Sequence, residues 1–115
     1  MRLLVILNQR PYNGTDVTWN ALRLIEQAQK KEMTVKVFLM NDAVDLAREG
    51  LEKSVEYDLQ EMLLGLISNG IEVKLCKTCI NRYGLSDSKI RHGIAIATMP
   101  ELVEWIEESD RVISF

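Results

Sequence analysis

Residues 59–75 read LQEMLLGLISNGIEVKL, and this segment changes from helical to strand periodicity within one short stretch. From Leu59 to Ile67, apolar side chains recur at three- and four-residue spacing, as on one face of a helix. Asn69-Gly70 predicts the helix end, because glycine readily adopts the left-handed conformation that terminates helices. The run Ile71–Leu75 is short and apolar, as in a strand. A helix leading directly into a strand is the repeating unit of an α/β fold.

The same alternation extends along the chain in both directions. Four further apolar runs predict strands at Leu3–Leu7, Val35–Met40, Ile94–Ala97 and Arg111–Ile113. Strands that alternate with helices are joined by right-handed crossovers into a parallel sheet. We therefore expect one domain over residues 1–115, an α/β fold with three α/β/α layers and a mostly parallel five-stranded sheet.

Helical patterns fill the intervals between these strands. From Thr15 onward the apolar face is predicted to hold Val17, Ala21, Leu24, Ile25 and Ala28. A short helix is expected over 43–48, with Asn41 and Asp42 as its N-cap pair and Gly50 as its break. The last helix is predicted to begin with a capping box of Thr98 and Glu101 and to bury Leu102, Val103 and Ile106.

Composition excludes several classes of protein. The 115-residue chain has a formal net charge of -3, with 47% hydrophobic and 27% charged residues, which is ordinary for a globular protein. The slightly acidic balance argues against direct binding of duplex nucleic acid, which requires a basic surface. Leu3–Leu7 is too short for a membrane span or a signal-peptide core, so we expect a cytoplasmic protein with no membrane partner.

The two cysteines lie in the sequence Cys76-Lys77-Thr78-Cys79, directly after the third predicted strand. Ligands of open parallel sheets bind at the carboxyl ends of the strands, so this position is a candidate site. A short helix is expected from here through Tyr83, and its free backbone amides would lower a thiol pKa. Lys74, Lys77 and Arg82 add positive charge to the segment.

Four interpretations of the cysteine pair remain open at this point. The thiols act as a dithiol redox pair, or one of them is a nucleophile that accepts and passes on a sulfur atom. A zinc site would need four ligands, and the chain offers only the two cysteines and His92, so no metal is expected. The remaining interpretation is that both cysteines are small buried hydrophobic residues.

Other polar residues are expected at the same edge of the sheet. Tyr12, Asn13 and Gly14 follow the first strand and Asn41 and Asp42 follow the second, and these five are the candidate substrate-binding residues.

Several further residues have simpler explanations. His92 is expected in a solvated loop, and the glutamates of the last helix on a solvated face. Trp19 and Trp105 lie partly off the apolar stripes, so each is either an interface residue or an edge of the core.

The segment Leu75–Leu85, LCKTCINRYGL, resembles the DsrE/DsrF-like family, which includes TusD-like sulfur-relay proteins. That family carries a cysteine at a strand end, followed at matching spacing by an arginine, a glycine and an apolar residue. Here these are Cys76, Arg82, Gly84 and Leu85. Further segments that resemble the family are Met1–Leu7, Tyr12–Gly14, Phe38–Val44, Asn69–Ile71 and Ser109–Phe115.

The resemblance implies a sulfurtransferase-like carrier that holds a persulfide on Cys76, without a cofactor, in a relay towards tRNA thiolation or in sulfur metabolism. Arg82 would stabilise the thiolate. Cys79 occupies a position that is commonly a small residue in TusD-like sequences, so it is a possible resolving thiol. The implied partners are sulfur donor and acceptor proteins and further subunits, in a homo-oligomer (dimer, trimer or hexamer) or a hetero-oligomer with related subunits. The alternatives are a CxxC dithiol-disulfide redox protein and a non-enzymatic oligomeric binding protein.

Overall fold

The computed structural model describes residues 1–115 and contains one five-stranded sheet. Its strands are β1 (Arg2–Leu7), β2 (Thr34–Leu39), β3 (Glu72–Cys76), β4 (Ala95–Ala97) and β5 (Arg111–Ser114). They lie in the order β4-β3-β2-β1-β5, and every neighbouring pair is parallel. The α/β fold class is therefore confirmed, and the sheet is parallel throughout.

Four α-helices connect the strands. They are α1 (Val17–Lys30), α2 (Leu59–Ser68), α3 (Lys77–Tyr83) and α4 (Met99–Glu108), and two 3₁₀ helices cover Asn41–Ala47 and Asp87–Lys89. The connections through α1 and α2 step across the sheet in one direction, so right-handed crossovers place both helices on one face. The connection through α4 runs back from β4 to β5, which places α4 on the opposite face.

The core is centred on the middle strands, which are covered on both faces. Leu4, Val5, Val37, Phe38 and Leu39 are each no more than 1% exposed. Burial of consecutive residues explains why these strands read as continuous apolar runs rather than as alternating ones. By contrast, every residue of the edge strand β5 is exposed.

The predicted strand ends agree with the structure to within one residue, but two predicted apolar helix faces are partly wrong. In α1, Leu24 is 37% exposed, and Leu22 takes a buried position. In α4, Leu102 is buried as expected, whereas Val103 and Ile106 are exposed. The reason is Trp105, which packs edge-on against Phe38 with ring centroids 6.2 Å apart. This contact places the side of the helix that carries Leu102 and Trp105 against the sheet. Trp105 is therefore a core residue of its own subunit.

The predicted caps are also corrected. Asn41 and Asp42 do not cap the following helix; both lie within the 3₁₀ helix, whose N-cap residue is Met40. Thr98 is the N-cap residue of α4, but its side chain contacts the Glu101 side chain at 3.4 Å and makes no bond to a backbone amide. The helix end at Asn69-Gly70 is confirmed, with Gly70 at a φ of +96°.

None of the helices is both long enough and apolar enough to cross a membrane.

Candidate functional site

Cys76 is the last residue of β3 and the N-cap residue of α3. Its Sγ accepts a hydrogen bond from the backbone amide of Cys79 at 3.3 Å. The Thr78 hydroxyl lies 3.2 Å from the same sulfur, and it donates to the sulfur when Cys76 is ionised. The strand-to-helix junction thus surrounds one sulfur atom with hydrogen-bond donors.

These contacts favour the thiolate form of Cys76. Burial of the thiol acts to raise its pKa, but hydrogen bonds from the side chains and backbone amides of Cys79 and Thr78 outweigh the burial. The pKa of Cys76 is therefore below the usual value of a thiol. A lowered pKa increases the fraction of thiolate at neutral pH, and the thiolate is the nucleophilic form.

Cys79 has the opposite character. Burial raises the pKa of its thiol, and its hydrogen bond to the Cys76 side chain raises it further. The Cys79 sulfur accepts a hydrogen bond from the backbone amide of Asn41 at 3.2 Å, which lowers the pKa only in part. Of the two thiols, Cys79 is therefore the one whose pKa favours the protonated form.

Both cysteines are free thiols close to the surface. Cys76 is 5% exposed and Cys79 is 9% exposed. Thr78, whose hydroxyl contacts the Cys76 sulfur, is exposed. The Cys76 sulfur is therefore shielded from solvent but contacts the side chain of an exposed residue.

The segment that follows β2 contacts the cysteine pair through Asn41, whose backbone amide donates to Cys79. Its backbone has a φ of +50°, and its side chain donates to the Asn8 side chain at 2.9 Å. Asn8 follows β1 and also donates to the Phe115 carbonyl at 3.2 Å. This chain of bonds fixes the position of the Asn41 amide against Cys79.

Arg82 lies near the cysteines but is paired with a carboxylate. Its guanidinium donates to Asp42 at 2.7 Å, and this ion pair raises the pKa of Arg82. The positive charge of Arg82 lowers the pKa of Cys79, whereas the main influences that lower the pKa of Cys76 are hydrogen bonds from Cys79 and Thr78. The pair links α3 to the 3₁₀ helix after β2.

The other expected cations are paired as well. Lys77 contacts Asp87 at 2.8 Å, and Lys74 contacts Glu101 at 3.2 Å. The thiolate character of Cys76 therefore comes from hydrogen bonds of neighbouring amides and a hydroxyl rather than from a cluster of free lysines.

Tyr12, Asn13 and Gly14 lie in a different part of this edge. The Tyr12 hydroxyl donates to the Tyr57 carbonyl at 3.1 Å and accepts from the Leu59 amide at 3.0 Å. Asn13 accepts from the Thr15 amide at 3.2 Å, and Gly14 has a φ of +87°.

Tyr12 and Gly14 line a cleft together with Trp19 and residues 54–57, and neither cysteine contributes to this cleft. Trp19 packs against Tyr57 with ring centroids 4.8 Å apart. The structure thus brings Cys76, Cys79, Arg82, Asn41 and Asp42 together, but not the loop 12–14.

Thr78 and Asn8 were not among the predicted site residues, although both follow predicted strands. Thr78 stands two residues after Cys76 at the start of a helix, where its hydroxyl can reach the sulfur of the N-cap residue. This spacing could have predicted the contact. No local pattern predicts the contact of Asn8 with Asn41, because it depends on how two strand ends that are distant in sequence meet.

Comparisons with known proteins agree with this architecture. The model of the DsrE/DsrF-like family matches residues 1–115. The chain is 34% identical to protein YchN of Escherichia coli over 116 residues, which covers 99% of this chain and 98% of YchN. It is 36% identical to protein MK0008 of Methanopyrus kandleri over 113 residues, covering 98% and 93% of the two chains.

Solved structures give the same result. The crystal structure of E. coli YchN superposes with a TM-score of 0.90 at 33% identity, covering 100% of this chain and 99% of that one. MTH1491 of Methanobacterium thermoautotrophicum shares the fold, with a TM-score of 0.73 at 14% identity, covering 99% and 98%. The expected family is therefore confirmed: this chain belongs to the DsrE/DsrF-like family.

Proposed function

We propose that the protein is a sulfur carrier that accepts a sulfur atom on Cys76 as a persulfide and passes it to an acceptor. The observation that carries the proposal is the set of donors around one sulfur, namely the Cys79 amide at 3.3 Å and the Thr78 hydroxyl at 3.2 Å. Such donors stabilise a thiolate before reaction and the anionic outer sulfur afterwards. Membership in a family with sulfur-relay members supports the same role.

The transfer step needs no outside oxidant or reductant. The Cys76 thiolate attacks the outer sulfur of a donor persulfide, so a new S–S bond forms at Cys76 and the S–S bond of the donor breaks. The donor leaves as a thiolate, and the transferred outer sulfur then releases its proton to solvent, which gives the persulfide anion on Cys76. In the second step an acceptor nucleophile takes the outer sulfur, and Cys76 leaves as the thiolate.

Burial of Cys76 is compatible with this role. An S–S bond is about 2 Å long, so the outer sulfur of a persulfide extends beyond Sγ. Because the Cys76 sulfur contacts the side chain of exposed Thr78, we expect this extension to bring the reactive atom closer to the surface. Within the proposal, Asn41, Asp42 and Arg82 hold the Cys79 side of the site, and Tyr12, Asn13 and Gly14 shape the neighbouring rim. Protein donors and acceptors in the cytoplasm would meet the subunit at this edge.

Dithiol redox chemistry is the second candidate, because two free thiols lie three residues apart at one helix start. In that reaction the Cys79 thiolate attacks Cys76 of the persulfide, a disulfide forms and hydrosulfide leaves. The raised pKa of Cys79 acts against this step, because it lowers the fraction of Cys79 that is present as the attacking thiolate. The carrier role is therefore the better supported of the two.

Loading with inorganic polysulfide separates the two candidates. Reduced wild-type protein, Cys76→Ser and Cys79→Ser are treated anaerobically with polysulfide, freed of excess reagent, alkylated and analysed by peptide mass spectrometry. A carrier retains one added sulfur on Cys76 in both wild type and Cys79→Ser. Conversion of the wild type to a Cys76–Cys79 disulfide with release of sulfide would favour redox chemistry, and equal loading of Cys76→Ser would contradict both.

A further inference from the structure

The cleft beside the loop 12–14 is lined by aromatic rings. It has a volume of about 370 Å³, which is within the range of pockets that bind small groups. Tyr12, Trp19 and Tyr57 line it, and Trp19 packs against Tyr57 with ring centroids 4.8 Å apart. None of these rings takes part in the proposed sulfur transfer. We call this surface the aromatic cleft.

The charged residues that line the aromatic cleft are both acidic. They are Asp16 and Glu56, which are exposed and form no ion pair within the subunit. Asp16 is the N-cap residue of α1, but its side chain makes no capping hydrogen bond. Burial raises the pKa of Tyr57, and the negative charges of Glu56 and Asp16 raise it further. The cleft therefore offers two free carboxylates to a bound cation.

A guanidinium of this chain already contacts one of the rings. Arg23 lies over Trp19 with its Cζ 4.3 Å from the ring centroid, and Arg23 does not line the cleft. A guanidinium is planar and weakly hydrated, so it stacks on aromatic rings more readily than an ammonium ion does. Because the two carboxylates outweigh the single charge of Arg23, the cleft favours a second guanidinium.

Hydrogen bonds hold the walls of the aromatic cleft in place. The Tyr12 hydroxyl bonds to the Tyr57 carbonyl and to the Leu59 amide. Ser54 closes the turn 54–57, because its hydroxyl accepts from the Tyr57 amide at 2.9 Å and its own amide donates to the Tyr57 carbonyl at 3.0 Å. Walls that are formed before binding lower the entropic cost of ordering a ligand.

We propose that the aromatic cleft binds an arginine side chain of the protein that delivers sulfur to Cys76. The guanidinium contacts the aromatic rings, and Asp16 and Glu56 neutralise its charge. The identity of this partner rests on the proposed function. Cys76 does not line the cleft, so the arginine orients the donor and takes no part in the chemistry.

The position of the cleft suits a protein donor. The loop 12–14 follows β1 and Cys76 ends β3, with β2 between these two strands. Neighbouring strands lie about 4.8 Å apart, so the ends of β1 and β3 are separated by about 10 Å. A standard protein interface covers about 800 Å² on each partner and is thus about 30 Å across. One donor can therefore fill the cleft and reach Cys76 together.

Titration with a short peptide tests the cleft. The peptide acetyl-Gly-Gly-Arg-Gly-Gly amide is added to the wild type, and NMR follows the indole N–H of Trp19, with that of buried Trp105 as the reference. We expect a saturable shift of the Trp19 signal. The same peptide with citrulline in place of arginine should produce little shift, because citrulline keeps the shape of the side chain but is neutral.

Removal of the carboxylates should weaken this binding. Asp16→Asn/Glu56→Gln is expected to bind the arginine peptide about fivefold to tenfold more weakly, since each exposed ion pair contributes modestly. The matched control is Glu104→Gln/Glu107→Gln, which removes two charges from exposed sites on α4 and should bind as the wild type does. Circular dichroism checks that both variants are folded.

Sulfur loading tests whether the donor is the partner. Asp16→Asn/Glu56→Gln should load Cys76 from inorganic polysulfide at the wild-type rate, but about fivefold more slowly from a cysteine desulfurase that carries a persulfide. Unchanged loading from the desulfurase, equal shifts with the two peptides, or undiminished peptide binding by this variant would overturn the proposal. A wild type that neither source loads would contradict the proposed function instead, and the peptide titration would still test the cleft.

Discussion

At the scale of single residues, Cys76 and Cys79 differ in what surrounds each sulfur. Cys76 accepts bonds at a helix start, whereas Cys79 is held against the Asn41 amide and has a raised pKa. The sequence could predict a thiolate at the strand end, because a CxxC at a helix N-terminus has that effect. It could not predict that Lys77 and Arg82 are both paired, because their carboxylate partners lie on other elements. Lys77 pairs with Asp87, and Arg82 pairs with Asp42.

We predict that Cys76 is alkylated at lower pH than Cys79. A lowered pKa means that the Cys76 thiolate forms, and its reaction with iodoacetamide reaches a plateau, below the pH where an ordinary thiol titrates. The raised pKa of Cys79 moves its titration in the opposite direction. Peptide mass spectrometry of protein alkylated briefly across a pH series gives both profiles. Coincident profiles, or earlier reaction of Cys79, would show that this assignment is wrong.

We also predict that Thr78→Val raises the pKa of Cys76 and slows its alkylation at neutral pH. The substitution keeps the shape of the side chain but removes the hydroxyl that lies 3.2 Å from the sulfur. Thr78→Ser is the matched control, since it retains the hydroxyl and should keep a profile close to that of the wild type. An unchanged pH profile in Thr78→Val would mean that the hydroxyl makes no contribution.

At the scale of elements, α4 shows that periodicity alone does not predict which apolar face of a helix is buried. Its apolar positions form two stripes, Leu102 with Trp105 and Met99 with Val103 and Ile106, and only the first is buried. The choice depends on Trp105 meeting Phe38 of β2 and on Lys36 and Lys74 lying over its ring at 5.0 and 4.7 Å. These contacts are between residues that are distant in sequence, so the local sequence pattern does not predict them.

Stability measurements on α4 distinguish its two sides. Trp105→Ala is expected to lower the free energy of unfolding by about 3–5 kcal/mol, because it leaves a cavity beside Phe38. Ile106→Ala, on the exposed stripe, should change it by less than about 0.5 kcal/mol. Urea unfolding in dilute protein, followed by circular dichroism, provides both values. Similar losses for the two variants would place Ile106 in the core as well.

At the scale of the whole molecule, the strand and helix order was predictable because each strand is a short apolar run between helical patterns. The strand order β4-β3-β2-β1-β5 follows from right-handed crossovers with one reversal, which places α4 alone on its face. Surface features were less predictable. The separation of the loop 12–14 from the cysteines depends on Tyr12 bonding to Tyr57 and Leu59 across the edge.

The topology predicts a gradient of backbone protection across the sheet. β1 and β2 are paired on both sides and mostly buried, so their central amides should exchange at a rate close to that of global unfolding. β4 has only three residues and one neighbour, so its amides should exchange faster. Hydrogen exchange followed by mass spectrometry measures the gradient, and equal protection of β4 and β1 would contradict this topology.

The central claim is that Cys76 is the residue that carries sulfur. The most direct measurement incubates wild type, Cys76→Ser and Cys79→Ser with a cysteine desulfurase and radiolabelled cysteine, followed by non-reducing electrophoresis. We expect protein-bound label that dithiothreitol releases in wild type and Cys79→Ser, and none in Cys76→Ser. Label of equal intensity on Cys76→Ser, or no label on folded wild-type protein, would contradict the account.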